Sequence, residues 1–209
     1  MSVQVAPPVL VDVASPEDRA RADFYALIAR LFYAGPDAAL LAAIAGADEI
    51  SGEGADVSLA EAWDALVAAA AVMDAEAAQQ EYDKVFIGTG KAEITPYASH
   101  YLAESMKENV LVRLRAELAA AGLARDSGAA ELEDHFAGLC EVMRHLIYSG
   151  SDDVAVQKQK MLFLHYIKPW YQSFCDSVII SVNTNFYKHA ARYARAFLDV
   201  EGESFELDQ

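Results

Sequence analysis

Apolar residues recur at three- and four-residue intervals through most of this chain, and that period restricts its fold more than any other feature. One stripe reads Leu132, Phe136, Leu139, Cys140, Met143, Leu146 and Ile147, the spacing of a single α-helical face. Phe24, Leu27, Ile28, Leu31 and Phe32 form a second, and Leu59, Ala62, Trp63, Leu66, Val67 and Ala70 a third. Alanine-rich stretches between the stripes favour helix over sheet. No series of period-two segments appears; residues 178–182 have strand propensity but continue a helical stripe. Apolar residues make up 54 % of the 209, enough for a packed core. Together these features predict an all-α, single-domain helical bundle of about 8–10 helices.

Local signals punctuate the bundle. Ser15-Pro16-Glu17-Asp18 reads as an N-cap followed by proline at the first helical position, and Ser58-Leu59-Ala60-Glu61 as a capping box. A short helix is expected over 81–86. Breaks fall at Gly35-Pro36, over 46–57, at Asp126-Ser127-Gly128, at Ser149-Gly150-Ser151-Asp152 and at Asn183-Thr184-Asn185. Pro169 must kink or interrupt the helix that begins near Asp153. The expected organisation is a flexible arm over 1–14, which carries Pro7 and Pro8, then a helical domain over 15–199. Residues 122–128 are the candidate hinge between two halves of that domain, and 46–57 a second glycine-bearing stretch of the same kind. The acidic tail 200–209 is expected to fray.

Charge narrows the partners. The formal net charge is −16, whereas nucleic-acid binding needs Lys and Arg to replace counterions on phosphates. No nucleic-acid partner is expected, and anionic membrane surfaces are disfavoured for the same reason. A cationic or arginine-bearing peptide would be steered toward such a chain. The first basic residue is Arg19 and the longest uncharged apolar run, about 38–47, is too short to span a bilayer. A cytoplasmic protein without stable membrane insertion is therefore expected. Cys140 and Cys175 are far apart, outside any C-x-x-C, and read as buried free thiols.

Motifs for catalysis are thin. Gly88-Thr89-Gly90-Lys91 lacks both the strand before it and the Ser/Thr after the lysine that a phosphate loop needs. Glu131 and His135, and Glu141 and His145, stand four apart, which suits ion pairing on a helix face better than a metal site. No enzyme activity, cofactor or metal is expected. Two segments are left over: Glu81-Tyr82-Asp83-Lys84-Val85-Phe86-Ile87-Gly88 leading to Pro96-Tyr97-Ala98-Ser99-His100-Tyr101, dense in aromatics, and the acid–imidazole pair Asp134-His135.

These segments resemble the TorD/DmsD family of redox-enzyme maturation chaperones. That family has an E-Y-x-x-L-F-type helix, a Gly/Pro loop and a P-[WY]-x-S-x-Y-like turn, matched here by Glu81–Phe86, Gly88-Thr89-Gly90 and Pro96-Tyr97-Ala98-Ser99-His100-Tyr101. Its E-x-x-D-H element is Glu131-Leu132-Glu133-Asp134-His135, with Glu133 where proline is usual, and Tyr97 stands where tryptophan is common. Its H-L-x-x-W segment is similar to Phe163-Leu164-His165-Tyr166-Ile167-Lys168-Pro169-Trp170. The nitrate-reductase assembly chaperones are a related branch with the same fold; the Asp-His element favours the TorD/DmsD side.

The resemblance implies a TorD-like, non-catalytic protein that binds the twin-arginine signal peptide and the apo catalytic subunit of a molybdenum-cofactor oxidoreductase. It would assist cofactor insertion and prevent premature export, as a monomer or a helix-swapped dimer. Asp134 and His135 would lie beside the peptide groove, with Tyr97, Ser99 and Tyr101 across it and Val85 and Phe86 supporting an apolar floor. Two alternatives stay open: a guanine-nucleotide-responsive assembly factor, and an all-α ligand-binding or regulatory protein.

Overall fold

The computed structural model describes residues 15–51, 56–102, 110–123 and 131–207. The arm over 1–14, the Asp126-Ser127-Gly128 linker and most of the candidate hinge lie outside them. Ten helices are present among the described residues: α1 (Pro16–Tyr33), α2 (Ala38–Ala45), α3 (Val57–Val72), α4 (Ala75–Tyr82), α5 (Ala98–Leu102), α6 (Val110–Ala120), α7 (Phe136–Ser149), α8 (Asp153–Leu162), α9 (Tyr171–Ile180) and α10 (Tyr187–Leu207). No strand occurs among these residues, and the all-α expectation holds. No helix among them is long and apolar enough to cross a membrane.

Helix starts follow the sequence in part: the short helix expected over 81–86 is the end of α4, which starts at Ala75, and the widened turn after it. Ser15 accepts the Asp18 N–H and Pro16 occupies the first helical position, as its pattern predicts. At α3 the cap is Asp56 rather than Ser58, its carboxylate accepting the Leu59 N–H at 2.8 Å. An ionised acceptor two residues earlier complements the positive helix end as well as its free N–H groups.

The stripes converge on one aromatic core. Phe32 of α1 meets Phe86, Phe136, Phe174 and Tyr187 with ring centroids 5.3–5.9 Å apart, all close to edge-to-face. Each such pair adds about 0.5–1.5 kcal/mol to the burial of apolar area. Helix α1 lies along α7, α10 packs on α9 and α3, and α2 covers α3. Cys140 and Cys175 are free and buried, and burial pushes both thiols up.

Two widened turns interrupt the helices. The Gly88 N–H reaches back five residues to the Asp83 carbonyl at 2.7 Å, and the Lys168 N–H likewise to Phe163 at 2.8 Å. The first ends at Gly88, whose φ of 63° is in the left-handed region and whose missing Cβ makes room for the Lys91 carbonyl. The loop that follows lacks the strand-to-helix setting of a phosphate loop. The second turn runs into Pro169, where α8 gives way to α9.

The Glu81-Tyr82 pair ties distant chain ends together. The Glu81 carboxylate accepts the N–H groups of Asn185, Phe186 and Tyr187 at 2.8, 3.1 and 2.7 Å, capping α10 from another helix. The Tyr82 hydroxyl donates to the Tyr33 carbonyl at 2.7 Å, closing the end of α1. A motif that reads as a candidate binding element is therefore also a structural junction.

The acidic tail is corrected by the structure. Helix α10 continues to Leu207, with Glu201 3 % and Phe205 4 % exposed. Arg21 grips Glu201 with Nε and Nη2 at 2.7 and 2.8 Å, and the Tyr25 hydroxyl donates to the same carboxylate at 3.1 Å. A forked guanidinium–carboxylate pair with a further donor lets this acid stay buried. A count of acids could not distinguish it from its solvated neighbours.

Removal of the remote cap gives a direct check on the junction. Glu81→Ala is expected to cost about 2 kcal/mol, lowering Tm by roughly 4–8 °C for a chain of this size, with Glu81→Gln losing less. An unchanged Tm in thermal unfolding would show that the three N–H bonds contribute nothing net.

Candidate functional site: an acid-rimmed apolar groove

Two segments that are far apart in sequence clasp each other at the start of α7. Tyr97 and His135 form an isolated antiparallel bridge. The Ala98 N–H donates to the Asp134 carbonyl at 2.9 Å and the Phe136 N–H to the Pro96 carbonyl at 2.8 Å. One carboxylate oxygen of Asp134 accepts the Ser99 N–H at 2.9 Å, capping α5 rather than its own helix. The Tyr97 and His135 rings meet edge to face at 5.0 Å. Tyr101 stacks on Trp170 at 5.1 Å and touches Phe174.

The expected residues are thus brought together, but in a different relation. Tyr97 and Ser99 do not stand across a groove from Asp134 and His135; direct backbone pairing joins them into one wall with no room for a peptide between them. Asp134 is 0 % and His135 2 % exposed. The other Asp134 carboxylate oxygen, Oδ1, is buried without a hydrogen-bond partner among the described residues. Tyr97, Ser99 and Tyr101 are partly exposed, while Val85 and Phe86 are buried in the core beneath.

The open space is elsewhere: none of these seven residues lines it. A groove of ≈ 680 Å³ runs between the end of α1, the start of α2, α6 and the first three turns of α7. Ala29, Leu40, Leu118, Leu123, Ala137 and Val142 supply apolar lining, and Asp37, Glu131, Glu133 and Glu141 place carboxylates around it. Arg30 and His145 also line it. Gly138 lies under the 132–133 turn, where a Cβ would make ordinary van der Waals contact with the Glu133 carbonyl oxygen at 3.4 Å.

The wall sets the rim. Glu131 accepts the Tyr97 hydroxyl, and burial followed by that bond raises the tyrosine pKa, so Tyr97 remains a donor at neutral pH. Glu133 takes the Arg115 guanidinium in a two-bond fork at 2.9 and 3.0 Å. Sequence reading named the Glu131 element but missed Arg115, Leu118 and the α1–α2 lining. Residues on four separate helices carry no local signal that they share a face.

His135 is held neutral. Its Nδ1 accepts the Ala137 N–H at 3.1 Å, and burial lowers its pKa below 6.5 against the opposing pull of Glu131 and Asp134. The unfolded chain therefore takes up this proton more readily than the folded one. Stability is complete above the ordinary value and falls as the pH drops through about 6.5. His189, lowered by burial, Arg192 and Lys188, acts with the same sign. His135→Gln is expected to flatten, without abolishing, the loss of Tm between about pH 7 and 5; an unaltered slope would exclude a buried neutral His135 as a contributor.

Comparison with known families places the chain. The model described as "Nitrate reductase delta subunit" matches residues 53–176, more than half of the 209. The match takes in the Glu81-Tyr82 pair, the Tyr97–His135 clasp and most of the groove, and it agrees with the resemblance to redox-enzyme maturation chaperones. Among curated proteins none matches the chain. The chain belongs to the nitrate reductase delta subunit family, a family of redox-enzyme maturation chaperones that serve molybdoenzymes.

Proposed function

We propose that the protein is a non-catalytic cytoplasmic chaperone that holds the twin-arginine signal peptide and the apo catalytic subunit of a molybdenum-cofactor oxidoreductase until its cofactor is in place. The observation that carries this reading is the groove: an apolar floor rimmed by Asp37, Glu131, Glu133 and Glu141. A twin-arginine signal peptide has the complementary order, an arginine pair followed by an apolar segment. Carboxylates accept charge-assisted bonds from guanidinium groups, and an apolar helix face settles into an apolar groove. The net charge of −16 speeds encounter more than it strengthens the final complex.

In this reading the expected residues act as a wall. Tyr97 acts through Glu131, to which its hydroxyl donates, and Ser99 and Tyr101 support the clasp without lining the groove. Asp134 and His135 hold the turn that carries Glu131 and Glu133, and Val85 and Phe86 support the core behind it. Peptide held here is unavailable for export, so release awaits a folded, cofactor-loaded partner.

The test is calorimetric titration with a synthetic twin-arginine signal peptide of a molybdenum-cofactor oxidoreductase. Micromolar or tighter binding is expected, a free energy of about −8 kcal/mol or better. Glu141→Lys and Val142→Asp, at exposed and half-buried positions of α7, are each expected to weaken it about tenfold, with Tm held within a few degrees. A wild-type protein that binds neither the peptide nor the precursor enzyme would end this reading.

A further inference from the structure

The rim carboxylates of the groove already have internal partners, and those partners differ in kind. Asp37 is 4.0 Å from Arg30, with side chains 67 % and 59 % exposed. Glu141 is 3.1 Å from Arg144, with both side chains more than two-fifths exposed. Pairs of that exposure hold little net energy in water. Glu131 is held by the neutral Tyr97 hydroxyl. Glu133 stands apart: its side chain is 12 % exposed, and it is bound through both oxygens by Nε and Nη2 of Arg115. Two parallel N–H···O bonds in this arrangement are the strong, planar form of arginine–carboxylate recognition.

We propose that Arg115 is a built-in stand-in for a client arginine: its guanidinium holds Glu133 until an incoming peptide arginine takes its place. This rests on the reading of the groove as a signal-peptide site and deepens it by naming the side chain that the client displaces. Three observations support it. Glu133 lines the groove and Arg115 does not, so the carboxylate residue, and not its internal cation, borders the space a peptide would fill. Arg115 is half exposed at 47 %, so it can swing into water without breaking the core. The fork is also the geometry that a second guanidinium, and no lysine ammonium, reproduces.

The exchange has a consequence for specificity. A client without arginine must leave the Arg115–Glu133 pair intact and gains only the apolar floor. A client with arginine trades one fork for another, so the pair sets a threshold that favours arginine over other side chains while limiting affinity. The released Arg115 lies on α6, which also lines the groove through Leu118, so arginine capture would loosen one tie between α6 and the 131–133 turn.

The experiment is a double-mutant cycle on the full-length chain. Wild type and Arg115→Gln are each titrated with a synthetic twin-arginine signal peptide and with the same peptide carrying glutamine at both arginines. Arg115→Gln is expected to bind the arginine peptide about three- to tenfold more tightly than wild type, with the gain shrinking in high salt. It is expected to bind the glutamine peptide no better than wild type does. Arg115→Lys, which keeps the charge and loses the fork, should fall between the two. Equal or weaker binding of the arginine peptide by Arg115→Gln overturns the proposal, and so does an equal gain for both peptides. In both cases wild-type binding leaves the chaperone reading standing. No binding by wild type or variant removes both readings together.

Discussion

The arrangement of this molecule turns on the clasp between residues 96–99 and 134–136. Two backbone hydrogen bonds and the Asp134–Ser99 bond join segments more than thirty positions apart in the chain. That junction starts α5 and α7 side by side. It directs Phe136 inward onto Phe32, Trp170 and Phe174, and it leaves the 131–133 turn facing outward over the groove. The buried Asp134 and His135 side chains each accept one backbone N–H, which offsets part of their burial, while Asp134 Oδ1 has no partner among the described residues. Asp134 and His135 therefore hold the turn beside the groove and do not line it.

The same logic runs through the other motifs. Glu81 and Tyr82 satisfy free backbone groups at the start of α10 and the end of α1, which helices need wherever an end is covered. The two widened turns, after Tyr82 and before Lys168, shift the helical register and hand Val85, Phe86, Phe163 and Tyr166 to the interior. What remains for ligand contact is the surface these junctions hold in place.

Charge in this chain works at two ranges. The overall excess of acid acts over roughly a Debye length and steers basic partners. Close to the groove, single arginines are matched to single carboxylates: Arg115 to Glu133, Arg144 to Glu141, Arg30 to Asp37. Removing acids from water without internal partners would be costly. Three of the four rim acids thus face an arginine, and Glu131 meets the neutral Tyr97 hydroxyl.

Helical periodicity alone determined that the chain is an all-α bundle, because a 3.6-residue apolar repeat can be buried only as helices. Short-range rules likewise located the Ser15 cap, the Gly35-Pro36 break, the interruption at Pro169 and the Asn183-Thr184-Asn185 turn. Leu132 belongs to the α7 stripe by spacing, yet it sits exposed in the turn, because His135 accepts the Ala137 N–H and starts the helix at Phe136. Only the tertiary structure decided that Tyr97 pairs directly with His135, that Glu201 is buried against Arg21, and that α1, α2, α6 and α7 share a groove. Those outcomes depend on which faces meet across long loops. A side chain's neighbours along the sequence report its period and its caps, whereas the partner that satisfies its charge arrives from an element whose approach no local pattern encodes.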